Sequence, residues 1–168
     1  MKRVMIIGQP GSGKSTLARA IAVRTGLPVV HMDQIQWRPG WVETDREERR
    51  RLTLAAHARD TWVFEGGFSA TWADRIQRAD TLIWLDVPVA TRLWRVSWRT
   101  IRYFGQSRPD LPDGCPERFS WEFFRYIWNT RKTSRSKMQN LFDNAPPEKS
   151  KHRLSTRGEV STYLTSLR

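Results

Sequence analysis

Short apolar runs alternate with helix-period segments along most of this chain. Arg3 to Ile7 is a run of the first kind and enters a glycine-rich turn; from Lys14 to Thr25 apolar residues recur at helical spacing, with Leu17, Ala18, Ile21 and Ala22 on one face. Gly26 stands where a helix commonly ends in a left-handed residue. Pro28 to His31 reads as a second strand. A loop with two tryptophans, Trp37 and Trp41, leads to Thr44 and Glu47, whose spacing is that of a capping box opening a helix to about Arg59. Further strands are expected at Thr61 to Phe64, Thr81 to Leu85 and Lys151 to Leu154, with a short helix from Thr71 between the first two. Val89 to Phe104 and Glu117 to Phe142 read as helices, the second ended by Pro146 and Pro147. Between them Gly105 to Pro116 holds three prolines and two glycines and should be an irregular loop. Thr156 and Glu159 repeat the capping-box spacing ahead of a last helix with Val160, Tyr163, Leu164 and Leu167 on one face.

Strand-helix alternation of this kind predicts an α/β fold on a parallel sheet. The 168 residues suit one domain spanning 1–168, large enough to bury a core without staples. No apolar run nears the ~20 residues of a bilayer crossing, so no membrane partner is expected. A lone Cys115 and the absence of a leader-like N-terminus point to the cytoplasm. The net charge of +12 is uneven. Residues 1–89 carry 13 basic and 10 acidic side chains and residues 90–168 carry 16 and 7, a balance of +9 that suits an anionic partner such as a nucleotide or nucleic acid.

Chemistry enters at Gly8 to Ser15, GQPGSGKS, which matches G-x-x-x-x-G-K-[ST] at every fixed position and sits between an apolar strand and an amphipathic helix. Gly8, Gly11 and Gly13 let the backbone turn so that its N–H groups, with that of Ser12, face a phosphate at the positive end of a helix. Lys14 would bridge the β- and γ-phosphates of ATP, and Ser15, with Thr16 beside it, lies where a hydroxyl reaches Mg²⁺. Ligands in such sheets bind at the carboxyl ends of the strands. Asp33, Glu65 and Asp86 all fall there, oxygens of the type magnesium takes. On the following helix Arg92, Arg95, Arg99 and Arg102 share an arc of roughly 80°, and Arg108 follows in the loop; together they could close over phosphates or form a solvated face. Most of the nine tryptophans are expected in the core, including Trp62, Trp84, Trp121 and Trp128, whereas Trp37 and Trp41 could instead stack on an acceptor. His31 is expected to pack on its neighbours.

With GQPGSGKST, HMDQIQWRPGW, WVFEGGF and ADTLIWLDVP in view, the chain resembles the adenylate kinase-like branch of P-loop kinases. That branch includes nucleoside monophosphate, shikimate and gluconate kinases, and more narrowly the chain is similar over nearly its whole length to the topology modulation proteins. The resemblance implies a P-loop three-layer αβα fold with a five-stranded parallel sheet in the order 2-3-1-4-5, and a lid at about residues 103–118. Lid arginines would fall at Arg95, on the adenine, and Arg99, on the phosphates. Glu65 would orient the magnesium water shell, and the adenine loop would lie at Ser155, Thr156 and Arg157. The adenylate kinase segments Thr-Gly-Asp and Asp-Gly-Phe-Pro-Arg are replaced by HMDQIQW and EGGFSATW, which places an AMP site in doubt. Asp33 then resembles the aspartate that holds or deprotonates an acceptor hydroxyl in small-metabolite kinases. ATP and Mg²⁺ are therefore the implied cofactors, and a small hydroxyl or phosphate compound the acceptor, with the chain a monomer or homodimer. Alternatives are a nucleic-acid-associated ATPase or regulator and a polynucleotide-end kinase.

Overall fold

The computed structural model describes residues 1–167. In chain order the elements are β1 (Arg3–Gly8), α1 (Lys14–Thr25), β2 (Val29–His31), α2 (Met32–Gln36), β3 (Trp37–Arg38), β4 (Val42–Glu43), α3 (Arg46–His57), β5 (Trp62–Glu65), α4 (Trp72–Arg78), β6 (Thr81–Leu85), α5 (Val89–Arg102), α6 (Trp121–Asn129), α7 (Arg131–Asp143), β7 (Ser150–Leu154) and α8 (Arg157–Ser166). Five of the strands form one parallel sheet in the order β2-β5-β1-β6-β7. The hairpin β3-β4 lies outside that sheet, so the order counted within the sheet alone is 2-3-1-4-5.

Strand alternation builds the layers. On β1, Val4 and Ile6 face one side, where Leu17, Ala18 and Ile21 of α1 and Tyr163 of α8 cover them. Met5 and Ile7 face the other, under Ala56 of α3, Trp72 and Ile76 of α4 and Met138 of α7. Both faces of the sheet are thus dry, which is why its central strands read as unbroken apolar runs. Trp62 and Trp84 are buried in the second layer, as expected. The carboxyl ends of β1, β2 and β5 open at one edge, with His31 paired to Glu65 in register.

Several expectations change. The helix expected to open at Thr44 is capped by Asp45, whose carboxylate accepts from the N–H groups of Glu47 and Glu48; Thr44 is buried and caps nothing. Thr156 and Glu159 do form their capping box. The long helix expected from Glu117 breaks at Thr130 into α6 and α7, where the Thr130 hydroxyl turns back on the Tyr126 carbonyl. Trp121 and Trp128 are not core: they are 63% and 50% exposed, since α6 buries only Ile127. The irregular loop after α5 also holds more apolar anchorage than its composition suggests, because Leu111 and Cys115 are buried.

Candidate active site

The turn from β1 into α1 is a backbone cradle. Gly11 (φ 78°) and Gly13 (φ 99°) occupy left-handed backbone that side chains disfavour. A Cβ at Gly11 would lie 2.6 Å from the Arg92 carbonyl oxygen, and one at Gly8 would lie 2.6 Å from the Ser12 hydroxyl. No side chain caps α1, so its first-turn N–H groups and dipole face the cradle free to meet an anion. Ser12 Oγ is buried there without a hydrogen-bond partner. The Lys14 ammonium folds over the turn and donates to the Gln9 carbonyl at 3.3 Å. Such a cradle, short of an acceptor at Ser12 and rich in donors, suits an anion such as a phosphate group.

Beside it, one carboxylate oxygen joins three elements. Glu65 Oε1, at the end of β5, accepts from Ser15 Oγ at 3.0 Å and from His31 Nδ1 at 2.7 Å. Glu65 and His31 are both buried. Among the described residues no cluster of three or more His, Cys, Asp and Glu could hold a metal unaided. Magnesium retains waters and takes most of its oxygens from nucleotide phosphates, so Ser15 and Glu65 fit it as outer and hydroxyl ligands without a dedicated cage.

Asp33 follows two residues beyond His31, in the first turn of α2. Removal from water raises its carboxyl above the usual range, with Glu65 and Asp110 adding to the rise while Lys14 and Arg108 oppose it. A carboxyl surrounded by both signs of charge at the mouth of the cradle is placed to take or hold a proton.

The arginine side divides into distinct tasks. Arg92 is buried and ties the start of α5 to the turn, donating to the carbonyls of Val87 at 3.1 Å and Pro10 at 3.3 Å. That is structural, so Arg92 leaves the group expected to close on phosphates. Arg95 reaches the cradle itself, donating to the Ser12 carbonyl at 2.9 Å. Arg99 and Arg108 instead meet Glu117, at 3.3 Å and 2.7 Å, and Arg108 also meets Asp110 at 2.8 Å. Arg19 approaches Asp110 from α1 at 3.5 Å. Desolvation lowers the proton affinity of Arg95 and Arg99, Arg157 adding to the effect on Arg95 and Arg108 to that on Arg99. Arg157 is exposed in the first turn of α8, and Thr16 is exposed in that of α1.

The loop 103–120 rests on the β3-β4 hairpin. Trp41 Nε1 donates to the Pro116 carbonyl at 3.0 Å, Gly40 N–H to that of Gly114 at 2.8 Å, and Gln34 Nε2 to that of Pro109 at 3.1 Å. Trp37 and Trp41 meet edge to face, with ring centroids 5.4 Å apart. Hairpin and loop are thus tied to each other and, through Gln34, to the helix that carries Asp33.

The structure thus gathers Lys14, Ser15, Asp33, Glu65, Arg95, Arg99 and Arg108 around the carboxyl edge, where Asp86 also lies but is engaged by arginines. Both Asp86 oxygens are taken by Arg135, at 2.9 Å each, and one also by Arg153 at 2.5 Å. Removal from water raises the Asp86 carboxyl, but these arginine bonds outweigh it and hold it below the usual range. It ties β6 to α7 and β7, and the expected metal role is withdrawn. Sequence reasoning missed Asp110 and Glu117 and discounted His31. The adjacency of strands two and three in the implied order, which sets His31 beside Glu65, was the one signal that could have found the histidine.

Residues 4–64 match the ATPase family associated with various cellular activities, the segment that contains the cradle. The chain is 33% identical over 112 residues to a cytidylate kinase of Halorubrum lacusprofundi, a match spanning 57% of each chain. To a cytidylate kinase of Pyrobaculum aerophilum it is 34% identical over 141 residues, 74% of this chain and 72% of that one. Among solved structures, shikimate kinase from Bacteroides thetaiotaomicron superposes with a TM-score of 0.56 at 16% identity, covering 99% of this chain and 95% of that chain, a likeness of fold. Since the Pyrobaculum relative is 34% identical and matched over 74% of this chain and 72% of its own length, this chain belongs to the nucleoside-monophosphate-kinase-like family of P-loop kinases.

Proposed function

We propose that the protein is an ATP-dependent phosphotransferase that passes the γ-phosphate of ATP to a small acceptor. The observation that carries this reading is the cradle: a left-handed glycine turn, an uncapped helix start, a partnerless Ser12 hydroxyl and Lys14, next to the Ser15–Glu65 pair. Backbone N–H groups and Lys14 would hold the β- and γ-phosphates, and Arg95 would lie along the triphosphate with Arg157 at the nucleotide's far side. Ser15 and Glu65 would hold Mg²⁺, which when bound neutralises charge on the phosphate oxygens. Arg99 and Arg108 would turn to the phosphates, because a loose phosphoryl transition state spreads charge over three oxygens that guanidinium groups can meet.

On the acceptor side Asp33 orients a hydroxyl and receives its proton, a task that asks for position more than for strong basicity. A nucleoside monophosphate acceptor is the second reading, supported by the two cytidylate kinase relatives. A nucleic-acid surface on α5 has less support, since Arg92, Arg95 and Arg99 turn inward to the cradle and the loop. The test is ADP formation from ATP and Mg²⁺ with CMP, dCMP, AMP, sugar acids and a 5′-hydroxyl oligonucleotide offered separately. The reading expects one small acceptor to raise ADP formation at least about tenfold. Acceleration by the oligonucleotide alone would overturn it.

A further inference from the structure

His31 ends β2 and Glu65 ends β5 as register partners in neighbouring parallel strands, so the sheet turns both side chains to one face. The imidazole bridges that gap: Nδ1 lies 2.7 Å from Glu65 Oε1, and both groups are buried. An ionised carboxylate only accepts, so Nδ1 carries the hydrogen and donates. Ser15 Oγ donates to the same oxygen at 3.0 Å. Its hydrogen is thereby committed, and its lone pairs are what it can offer a cation. Among the described residues both side-chain donors to Glu65 meet at Oε1, which leaves Oε2 to accept from water. A third group pulls on this carboxylate. Arg75 is buried with its Nε unpartnered; burial pushes it down to about 9, and the Glu65 charge works against that fall. Its other nitrogens donate to the Gly66 and Gly67 carbonyls, directly after Glu65 in the chain.

We propose that His31 is a positioning residue for Mg²⁺: its bond to Glu65 Oε1 keeps the carboxylate on Ser15 and away from Arg75, so that hydroxyl and carboxylate meet the ion and its water shell together. The inference rests on the proposed ATP site. A glutamate has three side-chain torsions, and one bond from a hydroxyl that must also serve a cation leaves it free to turn toward the buried guanidinium. The imidazole is stiffer, and strand register sets its ring. In this role His31 touches no phosphate and moves no proton; it acts only through Glu65. Removal of such a partner, hydrogen-bonded to a group that holds a metal, typically weakens metal binding by about 10- to 100-fold.

Mn²⁺ stands in for Mg²⁺ in the test, because the spin-resonance signal of the free ion is lost on binding. It is titrated into the full chain held in excess over a nonhydrolysable ATP analogue, while calorimetry of the analogue in EDTA reads the cradle alone. His31→Leu should weaken Mn²⁺ binding at least about tenfold, with affinity for the metal-free analogue within about threefold of wild type. His31→Asn, whose amide nitrogen can donate from near the place of Nδ1, should return Mn²⁺ affinity to within about threefold of wild type. In a Glu65→Ala background His31→Leu should cost less than about twofold more, since nothing is left to position. Equal Mn²⁺ affinity in His31→Leu overturns the inference, as does an Asn variant no better than Leu, or a full further loss on top of Glu65→Ala. Metal-free affinity that falls as far as Mn²⁺ affinity also overturns it, and makes His31 a packing residue. All of these outcomes leave the ATP site standing. A wild-type chain that does not bind the analogue at all overturns the proposed function, and this inference with it.

Discussion

The cradle and the loop after α5 are both proposed to meet phosphate, yet they are built in opposite ways. Residues 8–15 are organised by the backbone: left-handed glycines, a helix start and one hydroxyl without a partner, all within eight positions. The loop after α5 is organised by charge. Arg99 and Arg108 are held by Glu117, Arg108 also by Asp110, and the assembly leans on the β3-β4 hairpin. A backbone site is ready for its ligand, whereas a site built of internal ion pairs must exchange one set of anions for another. In the cradle, binding should cost little rearrangement; in the loop, phosphate competes with Glu117 and Asp110.

Breaking the loop's internal pairing should give the largest effect. Glu117→Gln leaves two partly buried guanidinium groups facing a neutral amide, and loss of one partner of a buried ion pair costs about 3 kcal/mol. Thermal unfolding should register this as a clear drop in Tm; a Tm within 1–2 °C of wild type would mean that the loop does not depend on the pair. Asp33→Asn probes the ground between the two regions. It should lower transfer to the acceptor by about 10²-fold, with MgATP affinity unchanged, since an orienting and proton-accepting group typically contributes that much. Equal transfer would reduce Asp33 to a turn residue. Arg99→Ala is expected to lower kcat about tenfold while the dissociation constant for MgATP moves less than about threefold, because a clamp that leaves Glu117 for the phosphates acts mainly as charge develops. The reverse pattern, affinity lost and kcat kept, would make the loop a second cradle.

The smallest effect concerns the scaffold. His57, the last residue of α3, is buried with neither ring nitrogen hydrogen-bonded, and burial, then the charges of Arg75 and Arg78, push it down to about 4. The unfolded chain takes up this proton near pH 6.5 and the folded chain does so only near 4, so stability falls as the pH drops through that window. Between pH 7.5 and 5.5 the loss should be about 1 kcal/mol. Denaturant midpoints at the two pH values should show it in the wild-type protein, and the difference should shrink by that amount in His57→Leu.

The same contrast explains what the sequence made legible. The cradle and the strand-helix alternation are local, so GQPGSGKS and the apolar periods foretold β1, α1 and the sheet. Arg95 and Glu65, singled out by the resemblance, lie within hydrogen-bond reach of Ser12 and Ser15. What could not be read was pairing across distance. Asp86 has the residue type and the strand end of a metal ligand, and only the fold reveals that Arg135 and Arg153, far along the chain, take its oxygens. Glu117 and Asp110 carried no motif, and their meaning comes from arginines 18 and 2 residues away that the loop folds onto them. Trp121 and Trp128 had helical spacing, but periodicity identifies a face without saying which side it turns to. The same ambiguity hid the exposed Trp94, Trp98 and Ile101 of α5 behind its arginine stripe.

Calorimetric titration of MgATP into the wild-type protein and Lys14→Ala tests the central claim most directly. Lys14 donates only to the Gln9 carbonyl of its own turn, so its removal should leave the fold intact, as a matching thermal melt would verify. One saturable site in the wild-type protein, weakened at least about 10²-fold in the variant, is the predicted result. Equal affinity in the two proteins would contradict the account.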